Sequence, residues 1–273
     1  MLTKVEVRND QGVMLSLPLQ DISSGFVIEN IEGLDPVKAT IVSSSFANKD
    51  GTQYESSRRE ARNLVLTIGL APNYALTSVS ALRNALYEFF MPKSAITLRF
   101  FIDGILKGEL AGRVESFESS IFSKEPTVDV SVICFNPDIK ALTSVSVAGN
   151  TTAASDEITI NYTGSVETGA VFTLNVDRVL PTFSIYHRRP NNAIGIFEFA
   201  YALVAGDVVK ISTVPGDKYA TLTRGGVDSS ILYGASPYSN WFELEPGSNY
   251  IRVYAEGIAI PYTIAYTNKY GGL

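Results

Sequence analysis

The feature that most constrains the fold is a run of strand-and-turn sequence in the last third of the chain. From Gly206 to Lys218, residues Val208, Lys210 and Ser212 alternate with Val209, Ile211 and Thr213, ahead of Pro215-Gly216-Asp217. A period of two sends successive side chains to opposite faces of a strand, and Pro-Gly-Asp is turn chemistry. The stretch from Ser239 to Tyr254 repeats this plan: Pro246-Gly247 marks a turn, and Tyr250 to Tyr254 is rich in residues that suit a pleated surface. Neither stretch carries a catalytic group. The clearest pattern is therefore architectural and points to assembly or binding before chemistry.

Composition narrows the function classes. The 273 residues suffice for one large β domain or two ordinary ones. An apolar content of 45% with a mean hydropathy of +0.12 supports a packed core and argues against global disorder. The net charge is −6, and basic residues cluster no further than the pairs Arg58-Arg59 and Arg188-Arg189. The basic stripe of a nucleic-acid binder is missing, so sequence-specific nucleic-acid binding is not expected. The longest apolar stretch, Ile96 to Leu106, is interrupted by Arg99, Asp103 and Gly104, so no membrane insertion is expected either. A single cysteine, Cys134, closes no internal disulfide, and the start Met1-Leu2-Thr3-Lys4-Val5-Glu6 has no apolar signal core. Cytoplasmic synthesis is the expectation, and the sequons at Asn150 and Asn161 then carry no meaning.

The first part of the chain reads as strands with one helix. Val5 and Val7 alternate with Glu6 and Arg8 before the turn Asn9-Asp10-Gln11-Gly12, and Val13 to Leu17 returns. Leu64, Leu66, Ile68 and Leu70 form a period-two apolar face. Ala95 to Ile102 and Ile105 to Leu110 flank Asp103-Gly104, a dipeptide suited to a type I′ hairpin because both positions need positive φ. Ahead of that hairpin, Val79, Leu82, Leu86 and Phe89 recur at helical spacing after a Thr77 or Ser78 cap, and Pro92 ends the helix. Strands over Gly112 to Ser119 and Thr127 to Phe135 complete this region.

From Asn136 to Glu157 no durable period is visible, which predicts a domain boundary near 140 to 155. Beyond it, short strands recur every 8 to 12 residues or so, the pattern of a β-sandwich. They cover Ile158 to Tyr162, Val171 to Val176, Phe183 to His187, Ile196 to Tyr201, Val208 to Thr213, Tyr219 to Leu222 and Tyr250 to Tyr254. Ile258 to Tyr270 is strand-like and can either finish the sandwich or return to the first domain.

Several motifs, taken in order, carry a family resemblance. They are Asp50-Gly51, the segment Arg58 to Arg62, the helix with Leu82-Arg83 and Leu86-Tyr87, and Cys134-Phe135-Asn136-Pro137. Further on come Gly206 to Ile211, Trp241 to Leu244, Pro246 to Asn249 and Tyr266 to Gly272. Through these the chain resembles the distal tail proteins of long-tailed, non-contractile bacteriophages along nearly its whole length. The resemblance implies a mainly β protein: an N-terminal ring-forming β domain with one helix over residues 1–145, and a C-terminal galectin-like β-sandwich over 146–273. It also implies a hexameric ring at the virion tail tip, stacked between a tail-tube protein and a tail-associated hub protein, with receptor-binding proteins as further partners. A central channel would pass DNA, and no enzymatic activity or cofactor is implied. A ring of this kind needs a heterologous interface that closes by rotation.

Candidate site residues are few. Arg58, Arg59 and Arg62, beside Glu55 and Glu60, read as a polar loop suited to ion pairs between ring protomers, since planar guanidinium forks fit carboxylates. A solvated charged loop is the plainer alternative. Trp241 with Tyr233, Tyr238 and Phe242 can form an aromatic platform for a sugar, chiefly through Tyr238 and Trp241, or can pack in the core. His187 lacks the partners of a catalytic triad or a zinc site and reads as a strand-end polar residue. Cys134 reads as a buried structural thiol. Asp207 and Asp217 lack the acid spacing of a calcium loop, so no metal is expected.

Overall fold

A computed structural model of the chain describes residues 1–273 except Gln20, Lys49 and Ile121. Two compact units result, residues 1–141 with 271–273 and residues 142–270.

The first unit contains β1 (Leu2–Asn9), β2 (Met14–Pro18), β3 (Phe26–Glu32), β4 (Ala39–Ser44), β5 (Gln53–Arg59), β6 (Arg62–Leu70), α1 (Val79–Phe90), β7 (Ala95–Ile102), β8 (Ile105–Ser119) and β9 (Thr127–Cys134). Antiparallel ladders join seven of these strands in the order β3-β6-β9-β8-β7-β1-β2. The sheet curls until its end strands, β2 and β3, approach one another. Its inner face is apolar because the alternation is kept on every strand: Val5 and Val7, Leu64 to Leu70 at even positions, Leu98 and Phe100, and Val128 to Val132 are all buried. At the Asp103-Gly104 turn both residues have positive φ, 50° and 77°, as a type I′ hairpin requires.

Helix α1 follows from a cap and a stripe. The Ser78 hydroxyl accepts from the Ala81 amide at 3.2 Å, satisfying one of the orphan donors at the helix start. Leu82, Leu86, Phe89 and Phe90 are buried, whereas Val79 at the first position is only half-buried. The stripe packs on β1 and β6.

Strand β10 (Ile139–Asn150) corrects the reading of 136 to 157 as aperiodic linker. After buried Ile139, most of its side chains are exposed on both faces, so no apolar alternation marks it in the sequence. Lys140 pairs with Glu109 of β8, and the strand then continues into the second unit.

The second unit holds β11 (Ile158–Tyr162), β12 (Ala170–Asn175), β13 (Leu180–Arg188), β14 (Ile194–Leu203), β15 (Val208–Ser212), β16 (Tyr219–Arg224), β17 (Val227–Ser230), β18 (Gly247–Tyr254) and β19 (Pro261–Tyr270). One sheet runs β11-β18-β13-β14 and the other β17-β16-β15-β12-β19-β10. Their inner faces share one core: Phe183, Ile185, Phe199 and Val253 from the first meet Phe172, Ile211, Leu222 and Tyr262 from the second. Phe172 and Phe183 have ring centroids 6.0 Å apart, joining the two layers. Strand β19 pairs with β12 inside this sandwich, while residues 271–273 belong to the first unit.

One polar network lies on the inner face. His187 Nε2 is 2.9 Å from Asn249 Oδ1. The Asn249 amide orientation is fixed by the backbone, because its Nδ2 donates to the Glu245 and Gly247 carbonyls while its Oδ1 accepts from the Glu245 amide. Oδ1 can only accept, so His187 donates from Nε2. Burial holds the imidazole pKa below its ordinary value of 6.5; the Asn249 bond and Glu245 oppose this, and Arg189 reinforces it.

Two stability predictions follow from the cores. Leu86 is fully buried, so Leu86→Ala should lower the unfolding free energy by about 2 to 5 kcal/mol through lost burial and a residual cavity. Denaturant unfolding followed by circular dichroism checks this, and a change within error would place that helix face in solvent. For His187 the sign runs toward acid lability: as pH falls below about 6.5 the unfolded chain takes up a proton that the folded chain refuses, so stability declines, by at most about 1.4 kcal/mol per pH unit. Trp241 is the only tryptophan and lies in the second unit, so its fluorescence reports that unit's unfolding. Between pH 7 and 5, His187→Gln should flatten the decline; equal slopes in both proteins would contradict the assignment.

Candidate assembly and binding surfaces

The hairpin β4–β5 stands apart from the rest of its unit. Its two strands pair only with each other, as a sheet of two. None of its described residues is buried, and Ile41, Val42 and Tyr54 on the strands and Phe46 in the connecting loop are each at least half exposed. Local polar contacts hold it: Ser44 Oγ donates to Glu55 at 2.6 Å, the Tyr54 and Ser57 hydroxyls lie 2.9 Å apart, and Thr40 donates to Glu60. A two-stranded ribbon in water is marginally stable at best, and clustered exposed apolar side chains mark contact surfaces.

Arg58, Arg59 and Arg62 do not share a polar loop. Arg58 and Arg59 end β5, and Arg62 opens β6. Arg58 is exposed and makes no ion pair among the described residues. Arg59 lies 2.9 Å from the nearly buried Asp138 carboxylate. Arg62 is only 1% exposed. Its Nε donates to the Pro137 carbonyl at 2.8 Å, Nη1 to the carbonyls of Gly33 and of Asp35 (2.9 Å), and Nη2 to that of Gly271 at 2.5 Å. Arg62 therefore cannot reach a neighbouring protomer; it binds its own backbone. Burial lowers its pKa, opposed by Cys134, Asp138 and Asp35, but a guanidinium stays charged in proteins. A sequence signal for this existed: Arg62 is in phase with Leu64, Leu66, Ile68 and Leu70, the buried positions of β6.

The four aromatic residues of the second unit separate. Phe242 is in the core. Trp241 is half-buried, edge-on to Phe197 with centroids 4.9 Å apart, and Lys218 Nζ lies 5.8 Å from its ring centroid. Tyr238 is 94% exposed. It sits on the segment 235–240, which closes the edge of β14: the Ser236 amide donates to the Glu198 carbonyl and the Asn240 amide to that of Ile196. Tyr233 is exposed and edge-on to Tyr201 at 5.7 Å.

The remaining candidates have structural occupations. Asp207 accepts from Arg224 Nε and Nη2 at 2.7 and 2.6 Å and from the Val204 amide at 2.8 Å, and the Arg224 bonds hold its carboxyl below the usual range. Burial pushes the Cys134 thiol up to about 11, far from a reactive thiolate near neutral pH. Among the described residues, no group of three or more His, Cys, Asp or Glu side chains is placed to hold a metal ion.

Comparison with known proteins agrees with this architecture. Residues 163–270 match the family model described as the siphovirus-type tail component, C-terminal domain. Among solved structures, the Dit (gp 19.1) protein of phage SPP1, described as a paradigm of the hub adsorption apparatus in phages infecting Gram-positive bacteria, aligns with a TM-score of 0.66 at 16% identity, over 97% of this chain and 98% of that one. The phage p2 baseplate in its activated conformation with strontium aligns with a TM-score of 0.45 at 9% identity, covering 97% of this chain and 98% of that one. The same baseplate with calcium gives 0.45 at 10% identity, covering the whole of both chains. No curated protein sequence matches the chain. Residues 163–270 thus resemble the siphovirus-type tail component C-terminal domain, and the chain as a whole has the fold of the SPP1 Dit protein.

Proposed function

We propose that this chain is a structural, non-enzymatic component of a long non-contractile phage tail, forming a homo-oligomeric ring, six protomers in the resemblance, at the distal end. The ring joins the tail tube to the tail tip or baseplate, contacts a tail-associated hub protein and receptor-binding proteins, and leaves a channel for DNA. The first unit makes the ring, and the second is a β-sandwich. Assembly takes place in the host cytoplasm.

The observation that carries this reading is the β4–β5 hairpin together with the full-length likeness to a hub protein. A ribbon that buries nothing on its own unit, and presents Ile41, Val42 and Tyr54, fits a surface completed by the next protomer. Arg58, which makes no ion pair among the described residues, lies on that ribbon and is free to pair across an interface. The catalytic reading is disfavoured because Asp207 and His187 are bonded within the fold and the Cys134 thiol is buried. The alternative, a carbohydrate-binding adhesin built on Tyr238 and Trp241, loses support because Trp241 packs against Phe197.

The test is the mass of the purified protein in solution. The wild-type chain should sediment as a species several-fold heavier than the 29.6 kDa protomer. Ile41→Glu with Val42→Glu should shift it toward the protomer while circular dichroism and thermal unfolding stay unchanged, since a specific contact of at least about 1,000 Å² would lose apolar area at its centre. Arg58→Glu alone should weaken assembly more at low salt than at high salt, because screening attenuates exposed pairs. A wild-type protein that stays a protomer at every concentration would defeat the ring, and a fully assembled double variant would remove the hairpin from its interface.

A further inference from the structure

The outward face of the β11-β18-β13-β14 sheet carries an organised set of tyrosines and arginines that the ring reading leaves without a role. In the β13–β18 ladder, Arg188 lies opposite Tyr250, Tyr186 opposite Arg252, and Ser184 opposite Tyr254. The intervening residues Phe183, Ile185, His187, Ile251 and Val253 are buried, so these six side chains face outward. The cross-strand neighbours are stacked: the Arg188 guanidinium carbon is 3.8 Å from the Tyr250 ring centroid, and that of Arg252 is 4.0 Å from the Tyr186 centroid. Phenol and guanidinium thus alternate both along and across the strands.

The next rows open into a groove of about 410 Å³ whose walls include Thr182, Ser184, Glu198, Tyr233 and Ser236. Ser184 belongs to both features, since it pairs with Tyr254 on one side and Glu198 on the other. From Arg188 to Thr182 the face runs about 20 Å at a strand rise of roughly 3.3 Å per residue. An extended peptide cannot add to β14, because Ser236 and Asn240 already occupy its free edge.

The two arginines differ in one respect that selects a ligand. Arg188 is neutralised by Glu157 at 2.5 Å. Arg252 makes no ion pair among the described residues; its Nη1 donates only to the Ala154 carbonyl, at 3.4 Å. It is a half-buried cation held over a ring without a carboxylate partner among the described residues. Flat aromatic surfaces, hydroxyl groups, one carboxylate that can accept from ligand hydroxyls and one uncompensated guanidinium suit a ligand with apolar C–H faces, many hydroxyls and a negative charge. The net charge of −6 repels polyanions in general, so such a ligand must be held by local contacts.

We propose that this face, from the Tyr186–Arg252 pair into the Ser184–Glu198 groove, binds an acidic oligosaccharide, with the anionic group on Arg252 and sugar rings over Tyr254 and Tyr233. Calorimetric titration of the full chain tests this with three probes: an oligogalacturonate for the carboxylate, a phosphorylated mannose oligosaccharide for the phosphate, and the uncharged maltotetraose. At least one acidic probe should bind while maltotetraose binds far more weakly, and which acidic probe binds identifies the source of the charge. Arg252→Gln should lower that affinity about tenfold or more, with thermal unfolding unchanged, because a charge-assisted hydrogen bond is lost. Arg58→Gln, on the other unit, should leave it unaltered. Absence of binding by both acidic probes, equal binding of the neutral one, or full affinity in Arg252→Gln would each overturn the assignment.

Discussion

The first unit is organised around the buried guanidinium of Arg62. A cation taken out of water is tolerated only when its donors are used, and removing one partner of a buried charge is far more damaging than losing a surface pair. Arg62 uses three nitrogens on four carbonyls, from the turn after β3 (Gly33, Asp35), the segment entering β10 (Pro137) and the chain end (Gly271). The geometry dictates neighbouring residues in turn. Gly33 has φ +86°, and a Cβ there would lie 2.0 Å from the Asn63 carbonyl oxygen, so no other residue fits beside the arginine. Arg59 grips the same exit segment from the side chain of Asp138. The first unit is therefore closed by residues 271–273, after the chain has completed the second, and a fragment ending near residue 140 would leave Arg62 short of an acceptor.

Much of the fold was legible because burial writes itself into alternation. The β6 face from Leu64 to Leu70, the helix stripe through Leu86, the Asp103-Gly104 hairpin and the sandwich strands around Phe183 and Val209 all keep their period. The β4–β5 hairpin and β10 did not show, for one common reason: they bury almost nothing on either face, and without a buried face there is no period to read. The burial of Arg62 is hard to read because its acceptors are backbone carbonyls, which no residue type announces; its phase with Leu64 is the one signal that points inward. The Tyr186–Arg252 and Arg188–Tyr250 pairs depend on the register of two strands separated by about sixty residues of sequence, which pairing alone reveals.

The distribution of polar chemistry fits a structural part better than a catalyst. Groups that a reaction would recruit are turned inward: His187 is bonded to the backbone-oriented Asn249, Asp207 is held by Arg224, and Cys134 is an apolar strand residue with a thiol that burial keeps protonated. What faces outward is a ribbon with exposed isoleucine, valine and tyrosine on the first unit and a tyrosine–arginine face on the second. These are the two surfaces on which the proposed self-assembly and the proposed ligand binding rest.

The ring is the central claim, and electron microscopy of the purified full-length protein in negative stain tests it most directly. End-on views should show closed rings with a central hole and six-fold symmetry. Fields of separate particles, each the size of one protomer across the range of protein concentrations, would contradict it.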